Sequence, residues 1–304
     1  PAPRSEVLKS LTTLNCAWTT GTITSCARRS SGFSVKGIEP RFQVETINSR
    51  KAIWLKEKSE INEEEYHEIY KHLSHDLAEP AKTIHYKAEG TTEFSALLYL
   101  PKQRPFNIYY QDYKIGPTLY VRRVQIMDHC EAMLPPYLRF VKGVVDSADL
   151  PLNVSREILQ DNKTVAVINK NLTKKVLDTL AEMKKNEPDA YAEFYDQFGR
   201  VLKEGIHHDY ARRDALAELL LFETTQTEPG KKISLSDYVA RMRSEQQEIY
   251  YMTGPDRATA EASPYLEVFK EKGFEVLLAT DDIDDLIISG LDRYREKEFQ
   301  SALK

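Results

Sequence analysis

YLRFVKGVVDSADLPLNVSREILQ, residues 137–160, decides how the rest of the chain is read. Its first half, through Ser147, is apolar and β-branched enough to be a buried strand. Pro151 then stiffens a short loop, and Asn153 or Ser155 can cap a helix that starts near Arg156. The N-terminus of a helix carries unpaired N–H groups and about half a positive charge, so a cation there is not explained by the helix dipole. A guanidinium fork suits bidentate contact with a phosphate or carboxylate. On the residues alone two readings of Arg156 stay open: an ion pair with Asp146 or Asp149, or a contact to an anion brought from outside.

Working outward, SEINEEEYHEIYKHLSHD places Asn62 and Glu65 at capping-box spacing, followed by Tyr66, Ile69, Tyr70 and Leu73 on one helical face. EFSALLYLP (93–101) and PTLYVRRVQIM (117–127) read as strands, the second with a bulge near its arginines. Leu172, Val176, Leu180 and Met183 make one helical stripe, and Tyr191, Phe194, Tyr195, Phe198, Val201 and Leu202 a wider one that Gly205 would close. ARRDALAELLLFET reads as a third helix. After the turn-rich TTQTEPGKK, EIYYMTG, SPYLEVFKEKG and FEVLLATDD form a strand–helix–strand unit with parallel strands, its helix ending at Gly273. The expected fold class is α/β: a large αβα lobe over 42–170, a short three-helix connector over 171–224 and a smaller αβα lobe over 225–304. Residues 1–41, rich in Ser and Thr, fit a loosely ordered leader or an added segment with one short strand near Thr22.

The 304 residues are 41% hydrophobic and carry a net charge of −5. That suffices for a substantial core and gives no electrostatic reason to expect nucleic acid. No apolar run is long enough for a membrane span. Cys16, Cys26 and Cys130 make no disulfide framework, which points to a reducing, cytoplasmic setting, although Cys16 and Cys26 could pair or bind metal. Neither glycine-rich phosphate loop is present, nor a G-x-S-x-G elbow. His67, His72 and His75 do not share one face and read as solvent-facing. His207 and His208 follow a helix end, where a cation is favoured. Asp281, Asp282, Asp284 and Asp285 read as an acidic helix start. No metal site is expected.

DLPLNVSREILQ, LPPYLRFVKGVVDSAD, SRKAIWLKEKSEINEEEYHEIYKHLSHD, SALLYLPKQRPFN, FGRVLKEGIHHD and SLSDYVARMRSEQQEIYYMTG together resemble the middle segment of the 90-kDa heat-shock chaperone family, bacterial HtpG type, from Phe42 to Lys304. The resemblance implies a stress-response chaperone, ATP-dependent and homodimeric at full length. It implies that Arg156 reaches the γ-phosphate of ATP held by a separate N-terminal domain, supported by Gln160, with Asn153 and Ser155 on the same loop. ATP and Mg2+ are then cofactors of the full-length protein, with none expected on this chain and no ATPase of its own. The partners implied are unfolded clients, the N-terminal nucleotide-binding domain and a C-terminal dimerisation domain of the same protein. Neither of those domains is recognisable here, so the chain reads as an excised or truncated segment. Trp54 and Phe106 match client-contact positions, although each could instead be core; Trp54 would end a short KAIW strand. Asp285 and Leu286 stand where relatives often carry Glu-Trp, so that contact is expected to be weaker. Two other functional classes fit the superfamily or the surface: a transducer domain of a topoisomerase- or MutL-like ATPase acting with DNA, and a protein-docking module without nucleotide role. The arginine, where transducers carry lysine, and the acidic balance argue against the first.

Overall fold

The computed structural model describes residues 52–151 and 162–303, together with the backbone of two strands, Asn15–Thr19 (β1) and Thr22–Ala27 (β2). The chain divides into two compact units, 1–56 and 57–304. In the first, β1 and β2 pair antiparallel with Cys16 and Cys26 as Cα partners. Near its end is a 3-10 helix, Ile53–Leu55, where the sequence suggested a strand. The stretch is three residues long and makes no ladder, so its apolar residues form a turn.

The second unit opens with α1, Glu63–Ser74. Asn62 and Glu65 exchange their capping-box bonds at 2.7 and 3.2 Å, and His75 ends the helix in the left-handed region. Five strands follow: β3 (Lys82–Ala88), β4 (Phe94–Leu100), β5 (Thr118–Val121), β6 (Val124–Met127) and β7 (Lys142–Ser147). They form one sheet in the order β3-β4-β7-β5-β6, with β5 and β7 the parallel pair. Every residue of β4 is buried because both faces are covered. Ala96, Leu98 and Leu100 join the main core, whereas Tyr99 lies against Tyr70 of α1, with ring centroids 5.2 Å apart. Gly143 lets β7 come close to β4, since a Cβ there would stand 2.2 Å from the Leu97 carbonyl oxygen.

The stretch 117–127 is two strands. Arg122 and Arg123 both take positive φ and make the two-residue turn of a β5–β6 hairpin in which Val121 faces Val124. Bonds to β7 and the residue after it support the unfavourable backbone: Arg122 Nε donates to the Ala148 carbonyl and the Arg123 N–H to Asp146 Oδ1. The buried strand read at 137–147 starts only at Lys142, since Pro135 and Pro136 turn the preceding residues into a 3-10 helix.

Two long helices come next, α2 (Lys163–Asn186) and α3 (Pro188–His208), followed by the short α4 (Arg213–Ala217). Gly205 does not close α3. It is buried one turn before the end, where a Cβ would meet Tyr137 and Leu216 at 2.9 Å. His207 and His208 therefore lie in the last turn. The third predicted helix is mostly something else: α4 stops at Ala217, and Leu221–Thr224 is strand β8. Its consecutive apolar residues suit a doubly covered strand as well as a helix.

The second sheet adds β9 (Ile233–Ser234), β10 (Ile249–Thr253), β11 (Leu277–Ala279), β12 (Arg293–Tyr294) and β13 (Lys297–Ser301) in the order β12-β13-β10-β11-β8-β9. Helices α5 (Leu235–Arg241), α6 (Arg257–Glu261), α7 (Glu267–Lys272) and α8 (Asp284–Leu291) cover it. β10 and β11 are parallel, and Gly273 caps α7 with φ 67°. One continuous apolar cluster runs from the first sheet through α2 and α3 to Ile249, Leu277 and Tyr294 of the second. The division drawn at 170 thus falls inside α2, and 221–224, assigned to the connector, belongs to the second sheet.

Candidate functional site

The loop between β4 and β5 is punctuated by Pro101, Pro105 and Gly116–Pro117 and built from successive turns: Ile108 N to Pro105 O, Tyr110 N to Asn107 O, Tyr113 N to Tyr110 O. Ile108 is buried and anchors it. Phe106 points away, 85% exposed, with Tyr110 at 59%. Their rings meet edge to face at 6.2 Å. Between them in the chain, the Tyr109 ring has three guanidinium groups around it, Arg104 at 5.2 Å, Arg139 at 5.7 Å and Arg200 at 5.1 Å from its centroid. Tyr109, in the same loop as the exposed pair, is thus fixed by cation–π contacts.

The Tyr109 cluster is held by one face of α3. Gln197 accepts the Arg104 N–H at 3.3 Å, and Glu204 takes Arg139 in a two-pronged bond of 2.5 and 2.8 Å. Arg200 reaches Asp282 at 3.3 Å, and Lys203 reaches Asp281 at 2.5 Å and Asp284 at 2.6 Å. Positions 197, 200, 203 and 204 follow i, i+3, i+6 and i+7 spacing and share one helical face. It joins the aromatic loop on one side to the acidic turn that starts α8 on the other. Burial works against both charges of the inner pair, raising the Asp284 pKa and acting to lower that of Lys203. For Lys203 the facing Tyr195, Asp284 and Asp281 outweigh burial and hold its pKa above the usual value. At the surface of the helix so held, Asp285 and Leu286 are both exposed.

Of the residues singled out from sequence, Phe106, Asp285 and Leu286 are thus exposed, and Phe106 is not a core residue. Trp54 is half-buried on its 3-10 turn in the first unit. Asn153, Ser155, Arg156 and Gln160 lie outside the described residues. Asp149, offered as a partner for Arg156, accepts the Glu93 N–H at 2.7 Å. Sequence reading missed Tyr109, Tyr110, Arg139, Arg200 and Lys203. An available signal was FNIYY itself, aromatics in a stretch whose prolines forbid a regular element to bury them. Among the described residues no group of three or more His, Cys, Asp or Glu could hold a metal ion, and no helix is long and apolar enough to cross a membrane.

A profile described as "Hsp90 protein" matches residues 34–304, and the chain belongs to that family. Among curated relatives, the chaperone protein HtpG of Geobacter sulfurreducens is 56% identical over 266 residues. The match covers 88% of this chain and 41% of that protein. HtpG of Bdellovibrio bacteriovorus is 50% identical over 260 residues, 86% of this chain and 41% of the relative. The chain therefore spans about two fifths of the length of these relatives. Among solved structures, the middle domain of a Plasmodium falciparum heat-shock protein superposes with a TM-score of 0.74 at 28% identity, covering 83% of this chain and 100% of that one. The chain is the middle segment of a chaperone of this family, and the transducer reading is not favoured.

Proposed function

We propose that this segment holds unfolded or partly folded proteins on the Phe106–Tyr110 surface and completes, through Arg156, an ATPase whose nucleotide sits in another domain. The observation that carries the first half is an exposed aromatic pair, Phe106 and Tyr110, on a loop whose Tyr109 is held among three arginines. Exposing such side chains on a rigid loop costs folding energy and gives the fold nothing in return, which is the usual mark of a binding surface. Aromatic surface accepts many sequences through area rather than geometry. Asp285 and Leu286 extend the surface across α3, the acid and apolar side chain together serving as a weaker contact. Trp54 is a further client contact from the first unit.

The second half rests on the family resemblance of the 149–160 stretch. Arg156 supplies a fork to the γ-phosphate, Gln160 steadies it, and Asn153 and Ser155 shape the loop. The protein as a whole uses ATP with Mg2+, works in the cytoplasm, and pairs this segment with nucleotide-binding and dimerisation domains. This segment alone turns over no ATP.

The test is suppression of aggregation of a heat-denatured protein by Phe106→Ala/Tyr110→Ala. Suppression is expected to fall severalfold with the thermal midpoint of the chain unchanged, because neither ring is part of the core. Full suppression by the double variant would refute the proposed surface.

A further inference from the structure

In the first unit β1 and β2 form a two-stranded sheet of their own, before the residues 34–304 that match the family. Two of the chain's three cysteines, Cys16 and Cys26, lie on these strands. The third, Cys130, is buried in the main core of the second unit.

The two strand cysteines are opposed because of an irregularity. Thr19 pairs with Thr22 and Trp18 with Ile23, and that register, carried on, would set Cys16 opposite Ser25. A shift between Cys16 and Trp18 moves β2 on by one residue, so that Cys16 pairs with Cys26 and Asn15 with Ala27. A bulge changes which residues meet across a ladder, and a slip of one residue also changes the side of the sheet that each occupies. Directly opposed residues of an antiparallel pair have Cα atoms about 4.5 or about 5.5 Å apart, depending on whether they exchange hydrogen bonds. Both values lie within the roughly 4.4–6.8 Å that a disulfide spans.

We propose that Cys16 and Cys26 are a redox modification site, closing into a reversible disulfide when the chain meets hydrogen peroxide. One thiolate attacks a peroxide oxygen, breaking the O–O bond to give a sulfenic acid and hydroxide. The other thiolate attacks the sulfenic sulfur, forming the S–S bond and expelling a second hydroxide. The two thiol protons convert both hydroxides to water, so two thiols and one peroxide give one disulfide and two waters. In a reducing compartment such a bond is transient and answers the oxidant rather than building the fold. A two-stranded hairpin is marginally stable by itself, so a cross-link in mid-ladder holds β1 on β2 where ladder bonds alone do little.

The test uses the whole chain, equilibrated in glutathione redox buffers, alkylated, and mapped by mass spectrometry. The oxidised chain is expected to be lighter by two hydrogens, with Cys16 and Cys26 in one linked peptide and Cys130 alkylated once the chain is unfolded. Hydrogen peroxide should give the same link. A short loop closes readily even in an unfolded chain, so the decisive quantity is the equilibrium constant for oxidation. It should be at least about tenfold larger for the parent than for Ser25→Cys/Cys26→Ser, which returns the thiol to the unshifted register. For the parent itself it should fall by a similar factor in guanidinium chloride. A parent no more readily oxidised than the shifted variant, a constant unchanged by denaturant, or links through Cys130 would overturn the proposal.

Discussion

Lys203→Met is expected to cost the chain roughly 3–5 kcal/mol of folding stability, the penalty for leaving a buried charge without its partner. Lys203 is almost fully buried, as is Asp284, whose oxygen lies 2.6 Å from the ammonium. Methionine fills similar volume, so the loss is electrostatic and not a cavity. The pH dependence has a definite sign. Burial already raises the Asp284 pKa with Lys203 present, and without it the folded state would hold the carboxyl proton still more tightly than the unfolded chain. Stability of the variant therefore rises as pH falls through the raised pKa towards the ordinary carboxylate range, and the gap to the parent narrows. Adding Asp284→Asn should recover much of the loss at neutral pH. Urea unfolding at pH 7 and pH 5 checks all three statements, and a cost under about 1 kcal/mol at pH 7 would show that the pair is dispensable. The consequence reaches function, because Lys203 fixes the turn from which Asp285 and Leu286 emerge.

The second large effect concerns Arg156. Mixed with the nucleotide-binding domain that the resemblance places before this segment, the parent chain is expected to raise ATP turnover, and Arg156→Ala to lower that stimulated rate by at least about tenfold. Arg156→Lys should fall between, since it retains the charge but not the fork. Gln160→Ala should act in the same direction, less strongly. Equal stimulation by parent and Arg156→Ala would instead favour a docking module with no nucleotide role.

Elements with a local signature were legible in the sequence. The capping box at Asn62/Glu65 and the glycine cap at Gly273 stand where the residues put them. So does the parallel pair β10–β11. The β5–β6 turn escaped because its positive φ values fall on two arginines, which carry none of the usual Asn-Gly signal and depend on β7 and the residue after it for support. LLLFET escaped because an apolar run has no period of its own. The organising face of α3 was hidden for a different reason. Reading the helix for apolar periodicity found the core stripe and passed over Gln197, Arg200, Lys203 and Glu204, whose partners lie as far as 93 residues away along the chain. Phe106 was reached by resemblance; its neighbours Tyr109 and Tyr110 were not, because nothing local distinguishes a wet aromatic from a buried one until the fold is known.

Photo-crosslinking bears most directly on whether the aromatic loop is where clients are held. A permanently unfolded, alkylated protein carrying a photoreactive group is mixed with the chain, irradiated, and the joined peptides identified. The account predicts crosslinks concentrated on residues 102–113, with a weaker set around Leu286, and loss of the first set in Phe106→Ala/Tyr110→Ala. Crosslinks that avoid both stretches, or that persist undiminished in the double variant, would contradict it.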